Sequence, residues 1–278
     1  MTVFLYDEGS CGVLRAEELA EELRRFRALQ VEVRGEFVGF WSGAANGIAP
    51  EAAPATERLL RTLVKARVVD PLRPEQPERE PLPVEIAAER RALQGRGRTS
   101  VGVPYNGGVV QWLMGELIGE ADRDDCHIIL TARLLSTFTP DDHRWHAHTV
   151  LLGEPHLIST TGIVQAPARP REYYQGQAMA TTGLVPREVV EAELQRRLAD
   201  RMLTADDPRI TSAALGLALQ AVAYQLTGEA FCPEPTCRLF NARRQEELIR
   251  SQCSPEARLC ARHEALFATL PGGVDGRR

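Results

Sequence analysis

The run Arg209-Ile-Thr-Ser-Ala-Ala-Leu-Gly-Leu-Ala-Leu-Gln-Ala-Val-Ala-Tyr-Gln-Leu226 decides how this chain is read. It is rich in Ala and Leu on nearly every side of a helical projection. A helix that is apolar all round is buried, so this one is expected to run through a core. Gly228 follows where a left-handed residue closes a helix. Next comes Cys232-Pro-Glu-Pro-Thr-Cys237, and further on Cys260-Ala-Arg-His263. Each pair is a chelating bite. Thiolates and an imidazole on two short loops bracketing a helix, expected here at 242–251, suit a tetrahedral structural zinc. The predicted ligands are Cys232, Cys237, Cys260 and His263. Cys253 competes for the fourth position, but Cys260 and His263 make the more compact bite. Cys11 and Cys126 read as free thiols.

Outward from that run the pattern is α/β. Residues 2–6 read as a strand and 14–28 as a helix with Leu14, Leu19, Leu23 and Phe26 on one side. Val31, Val33 and Phe37 suggest a second strand, and 55–67 a second helix. The stretch 70–83 carries five prolines, which exclude helix and central strand, so it is a surface loop. Asn106-Gly107-Gly108 precedes a helix expected at 108–119. It lacks the Lys and hydroxyl of a phosphate loop and reads as a turn. His127-Ile-Ile-Leu-Thr-Ala-Arg-Leu-Leu135 is a buried strand, and 145–152 another, with His146 and His148 on one face. Thr160-Thr-Gly-Ile-Val164 is echoed by Thr181-Thr-Gly-Leu-Val185, too briefly for a repeat architecture. Pro167, Pro170, Tyr173 and Tyr174 between them read as loop, and 187–202 as a helix. The expectation is a single α/β domain over residues 1–278, a mixed sheet with packed helices. A small zinc-stabilised lobe at 232–263 closes it.

Composition narrows the function. The chain has 278 residues, 44% hydrophobic and 26% charged, with a net charge of −5. That supplies a sizeable core and argues against broad electrostatic binding to nucleic acid or anionic membrane. Arg243, Arg244, Arg250, Arg258 and Arg262 interleave with Glu246, Glu247, Glu256 and Glu264, the pattern of a solvated face. Met1-Thr-Val-Phe-Leu-Tyr-Asp has no basic n-region, and no apolar run approaches a membrane span. The expected location is the cytoplasm, where six cysteines serve as thiols or metal ligands rather than disulfides.

The C-terminal half resembles the archaemetzincins, a family of zinc-dependent metallopeptidases. The shared order is core helix, Gly turn, Cys with four spacers then Cys, an intervening helix, and a closing ligand pair. The wording around Leu157-Ile-Ser-Thr-Thr-Gly and Ala166-Pro-Ala-Arg-Pro-Arg-Glu-Tyr-Tyr174 is also similar to an uncharacterised, mainly archaeal family of metallopeptidase-like proteins. In archaemetzincins the core helix carries HExxHxxGxxH, and the later cysteines complete a structural zinc site. The resemblance implies a metzincin-like fold and places Gly228 on the family's glycine. Cys232, Cys237 and Cys260 fall on structural-zinc positions, with His263 where the family has its last cysteine.

The same register shows a departure. Ala221 stands at the first catalytic His, Val222 at the general-base Glu, Gln225 at the second His and Phe231 at the third. Two histidines at i and i+4 chelate because they share a helix face, and a carboxylate is needed to take the proton of metal-bound water. With these four groups gone, the site reads as packed core. The expected function is an inactive metallopeptidase homologue with a structural zinc, holding a peptide or protein partner along a sheet edge. The alternative is an active zinc metallopeptidase with non-standard ligands, His146 and His148 with Glu229 or His156.

Overall fold

A computed structural model describes residues 1–26, 29–41, 54–93, 102–118, 125–181, 183 and 186–268. The chain opens with β1 (Thr2–Glu8), α1 (Ala16–Arg24) and β2 (Gln30–Val33), then the short α2 (Phe37–Trp41), α3 (Pro54–Lys65) and α4 (Pro83–Leu93). It continues through β3 (Pro104–Asn106), α5 (Gly107–Ile118), β4 (Cys126–Thr131), β5 (Leu134–Thr139), β6 (Arg144–Ala147), β7 (Val150–Leu151) and β8 (His156–Ser159). Helices α6 (Thr160–Gln165), α7 (Arg171–Ala180), α8 (Arg187–Arg197) and α9 (Ile210–Thr227) follow. Last come α10 (Gln245–Leu248), a π-helical turn at Ile249–Cys253, and α11 (Ala261–Ala268).

Two mixed sheets form. The larger has the order β2-β1-β4-β8-β7, parallel except for the antiparallel edge pair β7–β8. The smaller has the order β3-β5-β6, with β3 and β5 parallel and β6 antiparallel. Alternation in β1 and β4 divides the core. Val3, Leu5, Ile128 and Leu130 face α1 and α9, while Phe4, Tyr6 and Ile129 face α3 and α5. A sheet buried on both faces reads as continuous apolar runs, which is why these strands were legible. α9 buries residues all round, as its composition requires. Its 18 residues have a mean hydropathy of 1.2, enough by length and composition for a membrane span, contrary to the expectation that no run approaches one; 72% of the helix is buried in protein.

Several boundaries differ from the sequence reading. The run 127–135 is two strands in two sheets, because the chain turns at Ala132–Arg133 and β5 pairs with β3. The run 145–152 divides likewise into β6 and β7, which also lie in different sheets. Phe37 begins α2 and packs edge-on against Tyr6 instead of extending β2. Tyr173 and Tyr174 lie in α7, whose first turn follows Pro170. Helix α4 is not among the helices that the sequence pattern predicts. Its first residue is the last proline of the 70–83 stretch, a position that tolerates a missing N–H. The first Thr-Thr-Gly segment forms α6; most of its echo at 181–185 lies outside the described residues. Within the Pro-rich loop, Gln76 accepts from the N–H groups of Val69 and Asp70 and donates to the carbonyls of Asp70 and Arg73.

A charged cluster is buried where the two sheets meet. Arg133 is 1% exposed and donates to Glu8, at the end of β1, and to Glu89 on α4. Glu89 also accepts from Arg67 at 2.6 Å and from the Tyr105 hydroxyl at 2.6 Å. Burial raises the pKa of Glu8 against the pull of Arg133, whereas Glu89 is held below the usual range by its cationic partners and Tyr105. Glu36 lies beside Glu8, and burial together with that negative charge raises it to about 7.

Two predictions follow from this cluster. Arg133→Met leaves Glu8 and Glu89 buried without their shared cation and is expected to lower unfolding free energy in urea by about 3–5 kcal/mol. Glu36 binds a proton more tightly folded than unfolded, so stability should fall as pH rises from about 4.5 to about 7. Glu36→Gln should flatten that part of a urea-midpoint profile against pH.

Candidate functional site

Helix α9 ends at Gly228, whose φ of 74° is the left-handed conformation its sequence position requires. Its N–H returns to the Tyr224 carbonyl at 2.8 Å. The chain then forms a hairpin-like loop. Cys232 N–H donates to the Leu239 carbonyl at 2.8 Å, and Cys237 N–H to that of Glu234 at 3.0 Å. Arg238 N–H donates to the Arg258 carbonyl, tying this loop to the segment before α11. The Cys260 carbonyl accepts from the N–H groups of His263 and Glu264, so the second bite is set by the first turn of α11. Between the bites, the π-helical turn packs on α9 where Gly216 has no side chain. A Cβ there would lie 1.6 Å from Gln252 Oε1.

One ligand atom from each of Cys232, Cys237, Cys260 and His263 lies within 4.8 Å of all the others. The edges are 3.9 Å between the sulfurs of Cys232 and Cys260, 3.5 Å from Cys237 Sγ to His263 Nδ1, and 3.1 Å from Cys260 Sγ to His263 Nδ1. A tetrahedral site with metal–sulfur bonds of about 2.3 Å has sulfur–sulfur edges of about 3.8 Å and slightly shorter sulfur–nitrogen edges. The donor set therefore fits a metal ion. Burial raises the Cys232 thiol to about 12 and pushes Cys237 upward too, while burial and Arg262 lower His263. The imidazole is thus neutral and ready to ligate, and a bound cation would supply the field that deprotonates the thiols. Cys253 is not in the group; its sulfur meets the Arg209 carbonyl at 3.7 Å.

The four positions that the archaemetzincin resemblance sets at catalytic groups behave differently from one another. Ala221 and Val222 are both fully buried in the core beside β4 and β8. Gln225, one turn on, accepts from His156 Nε2 at 3.2 Å. His156 Nδ1 accepts from the Gly153 N–H, and burial lowers its pKa to about 4, so the ring is neutral. Phe231 corrects the packed-core expectation, because it is 46% exposed. It borders a small cavity of about 90 Å³ with His148, Thr149, Val150, Leu217, Gln220 and Phe240. The helix ends before position 231, so that side chain sits on the rim rather than under the sheet.

The other histidines do not converge. His146 Nε2 bonds Asp142 at 2.7 Å, while His148 Nε2 bonds the Thr137 hydroxyl at 2.7 Å. Glu229 pairs with Arg262 at 2.7 Å. Among the described residues, the Cys/His cluster is the one group spaced to hold a metal. Sequence reasoning places His127 and Arg133 in a buried strand and offers His156 as a ligand, but does not foresee their polar partners, Tyr6 for His127, Glu8 and Glu89 for Arg133, and Gln225 for His156. The available signal was the presence of these three polar residues within runs otherwise made of core residues.

The sequence profile of the Probable metallopeptidase family (DUF6775) matches residues 1–270, and the chain belongs to that family. No curated protein and no solved structure matches it. The exposed position of Phe231 can be checked directly. Phe231→Ala is expected to cost under about 1 kcal/mol in urea unfolding, against about 3–5 kcal/mol for removal of a core phenylalanine.

Proposed function

We propose that this member of a metallopeptidase family is a non-catalytic relative of the archaemetzincins. It keeps a structural zinc on Cys232, Cys237, Cys260 and His263 and uses its former substrate cleft to hold an extended peptide or a protein partner. The observation that carries the reading is a contrast along one helix and the loop after it. Four metal donors gather within 4.8 Å beyond Gly228, while Ala221, Val222, Gln225 and Phe231 occupy the positions of catalytic ligands and base. Zinc with three thiolates and one imidazole has no open position, so it would tie the 232–240 loop to α11 and supply no reactive water. Val222 has no proton acceptor, and its full burial leaves none to be recruited there.

Peptide binding is supported by the sheet edge. Among the described residues β7 pairs with β8 alone, and its Val150 lines the cavity at Phe231. An extended segment can add there as a strand, with one side chain toward Phe231 and Phe240. The reading also keeps the metzincin-like domain, 1–278, in the cytoplasm, with no nucleic-acid or membrane partner. Family membership favours a second reading, an active zinc peptidase with non-standard ligands.

Metal stoichiometry separates the two. Protein purified without added zinc or a metal-binding tag should carry about one zinc per chain, absent from Cys260→Ala and retained in Cys253→Ser. About two zinc ions, one surviving Cys260→Ala, together with chelator-sensitive peptide cleavage, would overturn the non-catalytic reading in favour of the second.

A further inference from the structure

A cleft of about 280 Å³ lies between the end of α1, α9 and the segment leading into α11. Leu215 and Leu219 of α9 form an apolar wall with Leu259 and Phe26. Arg238 and Arg258 line the same cleft from the two chain segments that carry the metal donors. We infer that this cleft binds the carboxylate of a small apolar acid, gripped by Arg238 and Arg258, with its hydrocarbon body against the leucines and Phe26.

Unused donors are the first support. A guanidinium offers five N–H donors in a planar fork that matches a carboxylate. Arg238 is half-buried, and its one side-chain hydrogen bond among the described residues runs from Nη1 to the Gln252 carbonyl at 3.2 Å. Arg258 bonds there through its backbone alone. Neither meets a carboxylate at ion-pair distance among the described residues, whereas Arg34 is paired with Glu32, Arg67 with Glu89 and Arg209 with Asp207. Two like charges on one low-dielectric wall repel, and an anion between them removes that cost. Glu22 also lines the cleft, but Arg25 holds it at 2.8 Å, which leaves Glu264 facing two guanidiniums.

The two forks start from fixed backbone. Arg238 N–H donates to the Arg258 carbonyl at 2.9 Å, and Arg258 N–H to the Thr236 carbonyl at 3.3 Å. Gln252 Nε2 donates to the Arg238 carbonyl at 2.7 Å. A site ordered in advance loses less entropy when it is filled.

The wall opposite selects the rest of the ligand. Leu215, Leu219 and Leu259 are buried, and Phe26 rests on Phe267 of α11 with ring centroids 5.0 Å apart. A bare inorganic anion would leave this apolar surface wet, while a hydrocarbon body would cover it. The volume falls just under the roughly 300–1,000 Å³ of a drug-sized site, which suits an acid with a short body. Among the described residues the cleft shares no lining with the cavity at Phe231, so it stands apart from the peptide cleft proposed above.

Calorimetric titration of the full-length, metal-replete chain with isocaproate tests the assignment. Isocaproamide is the neutral isostere, and acetate is the anion without a body. One isocaproate should bind per chain, with both controls roughly tenfold weaker or worse. Arg258→Gln should weaken isocaproate roughly tenfold, and the double variant with Arg238→Gln further still. Unchanged melting temperature and zinc content would show that the variants fold. Because the Arg258 side chain makes no hydrogen bond among the described residues, its single variant decides the matter even if the double variant fails to fold. Tighter binding of N-acetyl-Ala-Leu than of isocaproate would place the carboxylate at the end of a peptide, and equal or weaker binding would assign a free acid. Isocaproamide or acetate binding as tightly as isocaproate, undiminished affinity in Arg258→Gln, or no saturation would overturn the proposal.

Discussion

Arg133 is the residue on which the two sheets depend. A guanidinium taken wholly out of water costs several kcal/mol unless its partners are in place. Here they come from far along the chain, Glu8 from the end of β1 and Glu89 from α4. Both must arrive together, because either one missing leaves a charge buried and uncompensated. Glu89 in turn requires Arg67 and Tyr105, which fixes β3 beside β5. The network thus specifies which strand ends meet at the junction, something an apolar core of interchangeable side chains does poorly.

The far end of the molecule solves a similar problem by another chemistry. Residues 232–263 contain four residues of α-helix before the π-helical turn, and few large apolar side chains. Backbone bridges between Cys232 and Phe240 and between Cys237 and Arg258 shape the loop. The donors then face one point, and a metal ion there would replace the core that so short a segment cannot build. α9 joins the two regimes, since its first turns touch the π-helical turn and its last lead into the first cysteine bite.

The four positions that the archaemetzincin resemblance sets at catalytic groups have roles of their own in this fold. Ala221 and Val222 are part of the packing under the sheet. Gln225 accepts a hydrogen bond from a neutral, buried His156. Phe231 lies on the surface, on a cavity it shares with Val150 of the edge strand β7. A carboxylate at position 222 would be a charged group in the core, which burial opposes strongly.

Much of this was legible from the residues themselves. Ala- and Leu-rich composition on all faces determined that α9 is buried, Gly228 determined where it stops, and paired spacing determined which cysteines and histidine cooperate. These are local properties, set by helical periodicity, by the left-handed conformation and by the reach of a two- or four-residue bite. What tertiary structure decided was which neighbours each segment found. The apolar run 127–135 carried no mark that it would turn at Arg133 into a second sheet, because both halves are equally suited to burial. The same holds for 145–152, and for α4, hidden behind a proline that ends one loop and starts one helix. Likewise, Phe231 reads as core by residue type and lies on the rim because Gly228 has already ended the helix. Partner choice over a hundred residues is a property of the folded chain, and no local period encodes it.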